Sequence, residues 1–265
     1  MTRAGTGGRA EQRGHEALTI AGRVGYAAYG VIHVLIGILA LRIAWGGGGR
    51  ADQTGALGTI AQEGWGKALL WLFVVGFAGL ALVEIAKAVG LRGGEHEATD
   101  KAKSAGRAVL FAVLAVLSQR FASGGSGGGG GSDATATVLG WPGGRLLVGA
   151  AGLAIIGFGA YHAYKGVTKK FREELDPRDL SGPSGRVIER IGVVGHLAKA
   201  VALALVGGLV VLAAVRFDPA KANGLDTALR TLVDQPFGPY LLTLVALGII
   251  AFGVYLFVRA RRGKV

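Results

Sequence analysis

The chain has 265 residues, 51% of them apolar and only 17% charged, and its mean hydropathy is +0.47. The charged share lies well below the quarter usual in soluble domains, and the apolar residues are gathered into long blocks, which excludes an ordinary soluble fold and makes lipid the expected solvent. The net charge of +12 is not read as a nucleic-acid footprint, because Lys and Arg mostly flank the apolar blocks at headgroup depth; the absence of cysteine excludes disulfides, thiol catalysis and cysteine-bound metal.

In chain order, residues 1–22 read as a polar tail containing Arg3, Arg9 and Arg13, without the apolar stretch and cleavage site of a signal peptide. Six apolar blocks follow at 24–45, 68–86, 105–121, 146–164, 192–215 and 240–258, each near the ~20 residues that cross hydrocarbon. The third carries Arg107 near its start and Gln119-Arg120 near its end, and snorkelling from both ends is expected to accommodate them. Between the first two blocks, Leu57, Ile60 and Ala61 have the spacing of a short amphipathic helix, as do Leu229, Leu232 and Val233 between the last two. Residues 123–132 are nearly all Gly and Ser, and are expected to form a tether in place of that helix.

The blocks repeat as pairs. A step of 78 residues takes Gly66, Leu69 and Lys87 to Gly144, Leu147 and Lys165, and a step of 172 takes them to Gly238, Leu241 and Arg259. For the first block of each pair the steps are 78 and 170, aligning Val31 with Val109 and Val201 and Gly37 with Ala115 and Gly207. One two-helix unit has been triplicated, at 23–89, 101–167 and 186–260, with a short tail at 261–265. Twenty of the 29 Lys and Arg residues fall in the two tails and the loops between units, eight in the opposite loops, and Lys199 lies inside the fifth block; the bias puts both termini in the cytoplasm. Because each unit crosses twice, all three insert in the same sense. The expected architecture is all-α and integral to the membrane: six transmembrane helices in three parallel two-helix repeats, related by pseudo-threefold symmetry about the membrane normal.

The segments Gly22-Arg-Val-Gly-Tyr-Ala-Ala-Tyr-Gly-Val-Ile-His33, Gly192-Val-Val-Gly-His-Leu-Ala-Lys-Ala-Val201 and Gln235-Pro-Phe-Gly-Pro-Tyr-Leu-Leu242 resemble a bacterial membrane family, the domain of unknown function 1206, whose members carry the two-helix unit three times. Copy two departs most from the pattern, lacking the glycine-tyrosine opening and the amphipathic loop. The resemblance implies location and architecture, and no substrate, cofactor or catalytic residue.

The candidate site residues are the intramembrane polar positions His33, Glu84, His162, His196 and Lys199. Lys199 aligns with Arg107 and Tyr29; it either snorkels, or joins them around a cytoplasmic vestibule that binds an anion. His196 precedes it on the same face. Glu84 reads as an interfacial partner of Lys87, and His162, its repeat equivalent, as a hydrogen-bonded structural side chain; the sharper reading is a proton pathway through both. His33 lies deepest, structural or functional. Ala200, Ala204 and Gly208 form a small-residue ladder for close helix packing. No catalytic, cofactor or metal constellation is found, so the expected function is non-enzymatic: a structural, scaffolding or regulatory protein of the plasma membrane, with a small transporter or channel for a proton, ion or small anion as the alternative. Expected partners are the lipid bilayer and other membrane proteins or further copies of the chain, without nucleic acid.

Overall fold

The computed structural model describes residues 5–90, 98–125, 131–222 and 224–263. Of the features above, Arg3, the last two residues of the 261–265 tail and positions 126–130 of the Gly-Ser run lie outside the described residues.

Nine α-helices account for nearly all of the described residues. Six are long: α1 (Gly5–Ala44), α3 (Gly66–Ala88), α4 (Ala98–Ala122), α6 (Gly144–Val167), α7 (Gly182–Arg216) and α9 (Gly238–Arg262). All six contain stretches long and apolar enough to cross a membrane. Three short helices, α2 (Gln53–Ala61), α5 (Gly131–Leu139) and α8 (Leu225–Val233), sit in the loops at one end of the bundle. The other end carries Lys87, Lys165 and Arg259 in the last turns of α3, α6 and α9, and is called the basic face below.

Two elements differ from the sequence reading. The stretch expected to be a polar tail is helical from Gly5, with the candidate span beginning only at Thr19; residues 9–18 are rich in Arg, Ala, Glu, Gln and Leu, which favour helix without any apolar face. The helix thought lost from copy two is present as α5, because Asp133 to Leu139 resumes helix-compatible sequence once the glycine run ends. Leu139 at its end is buried. In copies one and three the short helices form where expected. Asp52 caps α2 by accepting the Gly55 N–H at 2.8 Å, and Leu57, Ile60 and Leu229 point into the core.

The long helices pack in the spatial order α6, α7, α9, α1, α3, α4. The closest pairs are not those within units but those between them: α3 with α4, α6 with α7, and α9 with α1. Lipid gives no hydrophobic drive for helices to associate, so backbone proximity through small residues must supply it. At the α9/α1 seam a Cβ on Gly253 would lie 2.8 Å from the Gly30 carbonyl oxygen. The repeat-equivalent contact at the α6/α7 seam has a Cβ on Gly159 only 3.1 Å from the Ala200 oxygen. One turn pair further on, Gly37 meets the Ala246 oxygen at 2.8 Å, and its counterpart Gly207 meets the Gly152 oxygen at 2.7 Å. The same contacts in the same register are what three copies of one unit produce when each unit's second helix packs on the next unit's first.

Within units, the pairing is conditional on glycine. In copy one, Gly25 and Gly76 face each other across α1 and α3, with a Cβ on Gly76 2.7 Å from the Gly25 nitrogen. Their equivalents in copy three, Gly195 and Gly248, bring α7 against α9, where a Cβ on Gly195 would lie 2.6 Å from the Phe252 Cα. The same positions in copy two are Lys103 and Ala154. Neither permits that approach, and α4 and α6 stand apart without the packing that joins the other two pairs. The ring of three units is closed at five places and open at the sixth.

Candidate ligand site

The open place is a cavity of about 780 Å³ between α4 and α6, with α1, α7 and α9 forming its back wall. Lys103 and Ala154, the two residues that keep the helices apart, both line it. Gly106 on α4 and Gly157 on α6 also face it, and a Cβ on either would meet open space. The walls are mostly apolar, including Ile36, Leu203 and Val206, and the cavity reaches Gln53 and Leu225 at the short-helix end. Near the basic face the Lys103 side chain reaches across the gap, its ammonium 5.3 Å from the centre of the Tyr161 ring and 2.9 Å from the Asp100 carboxylate.

Cationic groups collect at that end. Lys199 of α7 turns inward rather than snorkelling: its Nζ donates to the Tyr29 hydroxyl at 2.8 Å and lies 4.7 Å and 4.2 Å from the Tyr29 and Phe252 ring centres. Tyr29, Arg107 and Lys199, the repeat-aligned set, all line the cavity. Among the described residues Lys199 forms no ion pair with a carboxylate. A second, small cavity of about 60 Å³ adjoins the first at this end, with Lys165, His162, His196 and Arg259 joining Lys103, Arg107 and Lys199 around it.

Phe252 of α9 organises the histidines. Its ring centre lies 5.0 Å from that of His33, 5.9 Å from His162 and 5.2 Å from His196, and the two latter imidazoles are 5.3 Å apart. Nothing in the sequence marks Phe252, one apolar residue among many in α9. His33 and His196 are each tied to their own helix by an Nδ1 contact of 2.8 Å to the carbonyl four residues earlier, Tyr29 and Gly192. His162 is buried, and its Nδ1 has no hydrogen-bond partner among the described residues.

Glu84 stands apart from this cluster. Its carboxylate, almost fully buried, pairs with Arg107 across the α3/α4 seam at 2.9 Å and with Lys87 at 3.6 Å. Arg107 is thus held by Glu84 and by the Ser104 hydroxyl at 3.2 Å, so an inward ion pair rather than snorkelling accommodates it in the third block.

A carboxylate that the sequence reading passed over does comparable work on the other side. Glu174 closes the 3-10 turn Lys170–Glu174 after α6 and receives Lys165 at 2.5 Å, Arg259 at 2.7 Å and the Tyr255 hydroxyl at 2.9 Å. Burial alone would raise its pKa, but Arg259 and Lys165 outweigh that and hold it down at about 2. Lys165 and Arg259 are repeat equivalents, so one loop carboxylate clamps the ends of α6 and α9 together. Glu174 lies in a mixed-charge run, 165–190, where no periodicity distinguishes a buried acid from a solvated one.

Six apolar spans, a cyclic triplicate and a cleft lined from all three repeats define a multi-pass helical membrane protein. The Domain of Unknown Function family DUF1206 matches residues 24–90, 102–169 and 194–263, one match per unit, and the chain belongs to that family. It is 31% identical over 239 residues to the uncharacterized protein YxxB of Bacillus subtilis (strain 168), covering 88% of this chain and 87% of that protein. No solved structure matches the chain.

Proposed function

We propose that this is a non-enzymatic protein of the bacterial plasma membrane, with both termini and its basic face in the cytoplasm, that binds an anionic solute in the cleft between α4 and α6 and carries it into or across the inner leaflet. The bilayer is its principal partner, and nucleic acid is not one. The observation that supports this most is Lys199: an amine deep in an apolar bundle, facing a cavity, with a phenol and two ring faces as its partners. Uncompensated charge inside a membrane costs about 2.5–3.5 kcal/mol even on lenient scales, and an anion beside the amine removes that cost while favouring the ammonium form. Lys103 and Arg107 line the same end, each paired at 2.9 Å with a carboxylate, Asp100 and Glu84 respectively, which leaves Lys199 as the amine an anion would meet. A pure scaffold has no use for such a cavity, which is why binding is preferred here to the scaffolding role.

The test is anion uptake into proteoliposomes carrying the intact protein, compared with the Lys199→Met variant, which keeps the side chain's length and removes its charge. Uptake that depends on the protein and falls at least tenfold in the variant is expected. Equal uptake by both, or none above empty liposomes for any anion tried, overturns the reading. Reporter fusions at the two ends check orientation: both must be active on the cytoplasmic side.

A further inference from the structure

We propose that the cleft takes an acyl chain ending in a compact anionic group, such as a long-chain fatty acid anion, which enters sideways from the lipid between α4 and α6. The inference rests on the anion-binding reading and specifies its ligand. Three features of the cleft carry it.

First, the two cavities differ in chemistry. The small one beside Lys199, about 60 Å³, sets the cations Lys165, Lys199 and Arg259 and two histidines among aromatic rings, whereas the large one of about 780 Å³ is walled mainly by aliphatic and aromatic groups. They share lining residues that include Tyr29, Lys103, Arg107, Lys199 and Phe252, so the two adjoin, the smaller at the cationic end and the larger as the apolar body. An inorganic anion or a sugar phosphate has no use for the apolar part. A neutral hydrocarbon has none for the cationic part. An amphiphile matches both.

Second, the dimensions agree. Space of 60 Å³ at ~10–15 Å³ per water holds a handful of waters, enough for a carboxylate or phosphate but not for a sugar or glycerol headgroup as well. From Tyr29 to Ile36 the cavity follows α1 for about 10 Å at ~1.5 Å per residue, and it continues to Gln53 and Leu225 at the short-helix end. The whole lies in the range of about 300–1,000 Å³ typical of ligand cavities.

Third, the entrance faces lipid. The gap exists because copy two carries Lys103 and Ala154 where the other copies carry facing glycines, and it lies between two helices whose outer surfaces are apolar, with Val109, Val113 and Leu153 exposed. Toward the basic face the Lys103 ammonium, paired with Asp100 at 2.9 Å, lies over Tyr161 and narrows the gap, which leaves the lipid-facing side as the way in.

The experiment measures binding of tritiated oleate to the full chain in a neutral maltoside detergent. Saturable binding of one oleate per protein is expected, displaced by unlabelled oleate, with oleyl alcohol, phosphatidylglycerol and inorganic phosphate each at least tenfold poorer as competitors. Lys199→Met should abolish the preference for oleate over oleyl alcohol. Gly157→Leu and Gly106→Leu, which extend side chains into the open space without disturbing a charge, should weaken oleate and oleyl alcohol together by at least tenfold while leaving helicity and thermal stability unchanged. Displacement by inorganic phosphate as effective as by oleate would overturn the amphiphile and leave the anion-binding reading standing. Non-saturable oleate uptake, or binding indifferent to all three substitutions, would overturn the amphiphile; the same result together with no Lys199-dependent anion uptake in proteoliposomes would overturn both.

Discussion

Glu174 illustrates how much a single loop side chain can hold. It is the shared acceptor for Lys165, Arg259 and Tyr255, so removing its charge leaves two buried cations short of a partner. Breaking such a pair costs about 3–5 kcal/mol, and Glu174→Gln is expected to lower the thermal stability of the detergent-solubilised protein accordingly at pH 7. The sign with pH follows from its depressed pKa. The unfolded carboxyl titrates near the ordinary value of 4.5 and the folded one near 2, so the contribution is complete above about pH 4.5 and disappears as pH falls through 2. The stability gap between wild type and Glu174→Gln should therefore be constant from pH 7 to 5 and shrink below 4.5; a gap independent of pH would show that Glu174 is not the clamp. At this scale Lys199, with Arg107 and Tyr29, was legible from repeat alignment, because three equivalent positions are brought around one axis by the symmetry. Glu174 and Phe252 were not, since the first sits in a charged loop without register and the second is chemically ordinary for its helix.

At the scale of the element, helix faces decide which small residues matter. The ladder Ala200, Ala204 and Gly208 read from α7 is right for its first two members, which meet Gly159, but a Cβ on Gly208 would touch nothing within 4 Å. Its neighbour Gly207 instead meets the backbone of Gly152 and the side chain of Ile156, each at 2.7 Å. A four-residue spacing identifies a stripe but not the angle at which the stripe faces its partner. Two adjacent substitutions separate the cases: Gly207→Leu should force α6 off α7 and sharply reduce folded yield, whereas Gly208→Leu should be tolerated and gain up to ~1 kcal/mol of helix propensity. Comparable folded yields for both would contradict the seam. The six spans themselves were plain in the hydropathy, because lipid demands long apolar runs and tolerates few charges in them. The short helix α5 was hidden by the glycine run before it, which obscures where helix-compatible sequence resumes.

For the whole molecule, triplication made the cyclic arrangement readable, and the structure adds that the tight seams run between units. Which unit would open was also written in the sequence, at Lys103 and Ala154, but the glycine contacts of the other copies had to be seen before those two positions carried meaning. Restoring them should close the ring. In the double variant Lys103→Gly, Ala154→Gly, spin labels placed on the lipid-facing sides of α4 and α6 should move several ångströms closer than in the wild type, and oleate binding should be lost. An unchanged distance would show that something other than these two side chains holds the helices apart.

The helix pair farthest from the gap is braced along its whole length. At the short-helix end Arg230 donates to the Gly49 carbonyl at 2.5 Å, Asp226 accepts the Ala51 N–H at 2.8 Å, and Trp45 meets Tyr240 edge to face; at the basic end the Arg259 guanidinium stacks over Tyr26 at 4.2 Å. With Gly30 against Gly253 between them, α1 and α9 make a spine, and the pairs α3/α4 and α6/α7 are the two covers of a book bound to it. Glu84 clasps one cover, joining α3 to α4, whereas Glu174 ties the other to the spine by joining α6 to α9, and neither reaches across the fore-edge. Whatever widens or narrows the opening must therefore swing a cover about that spine, leaving the binding itself unbent.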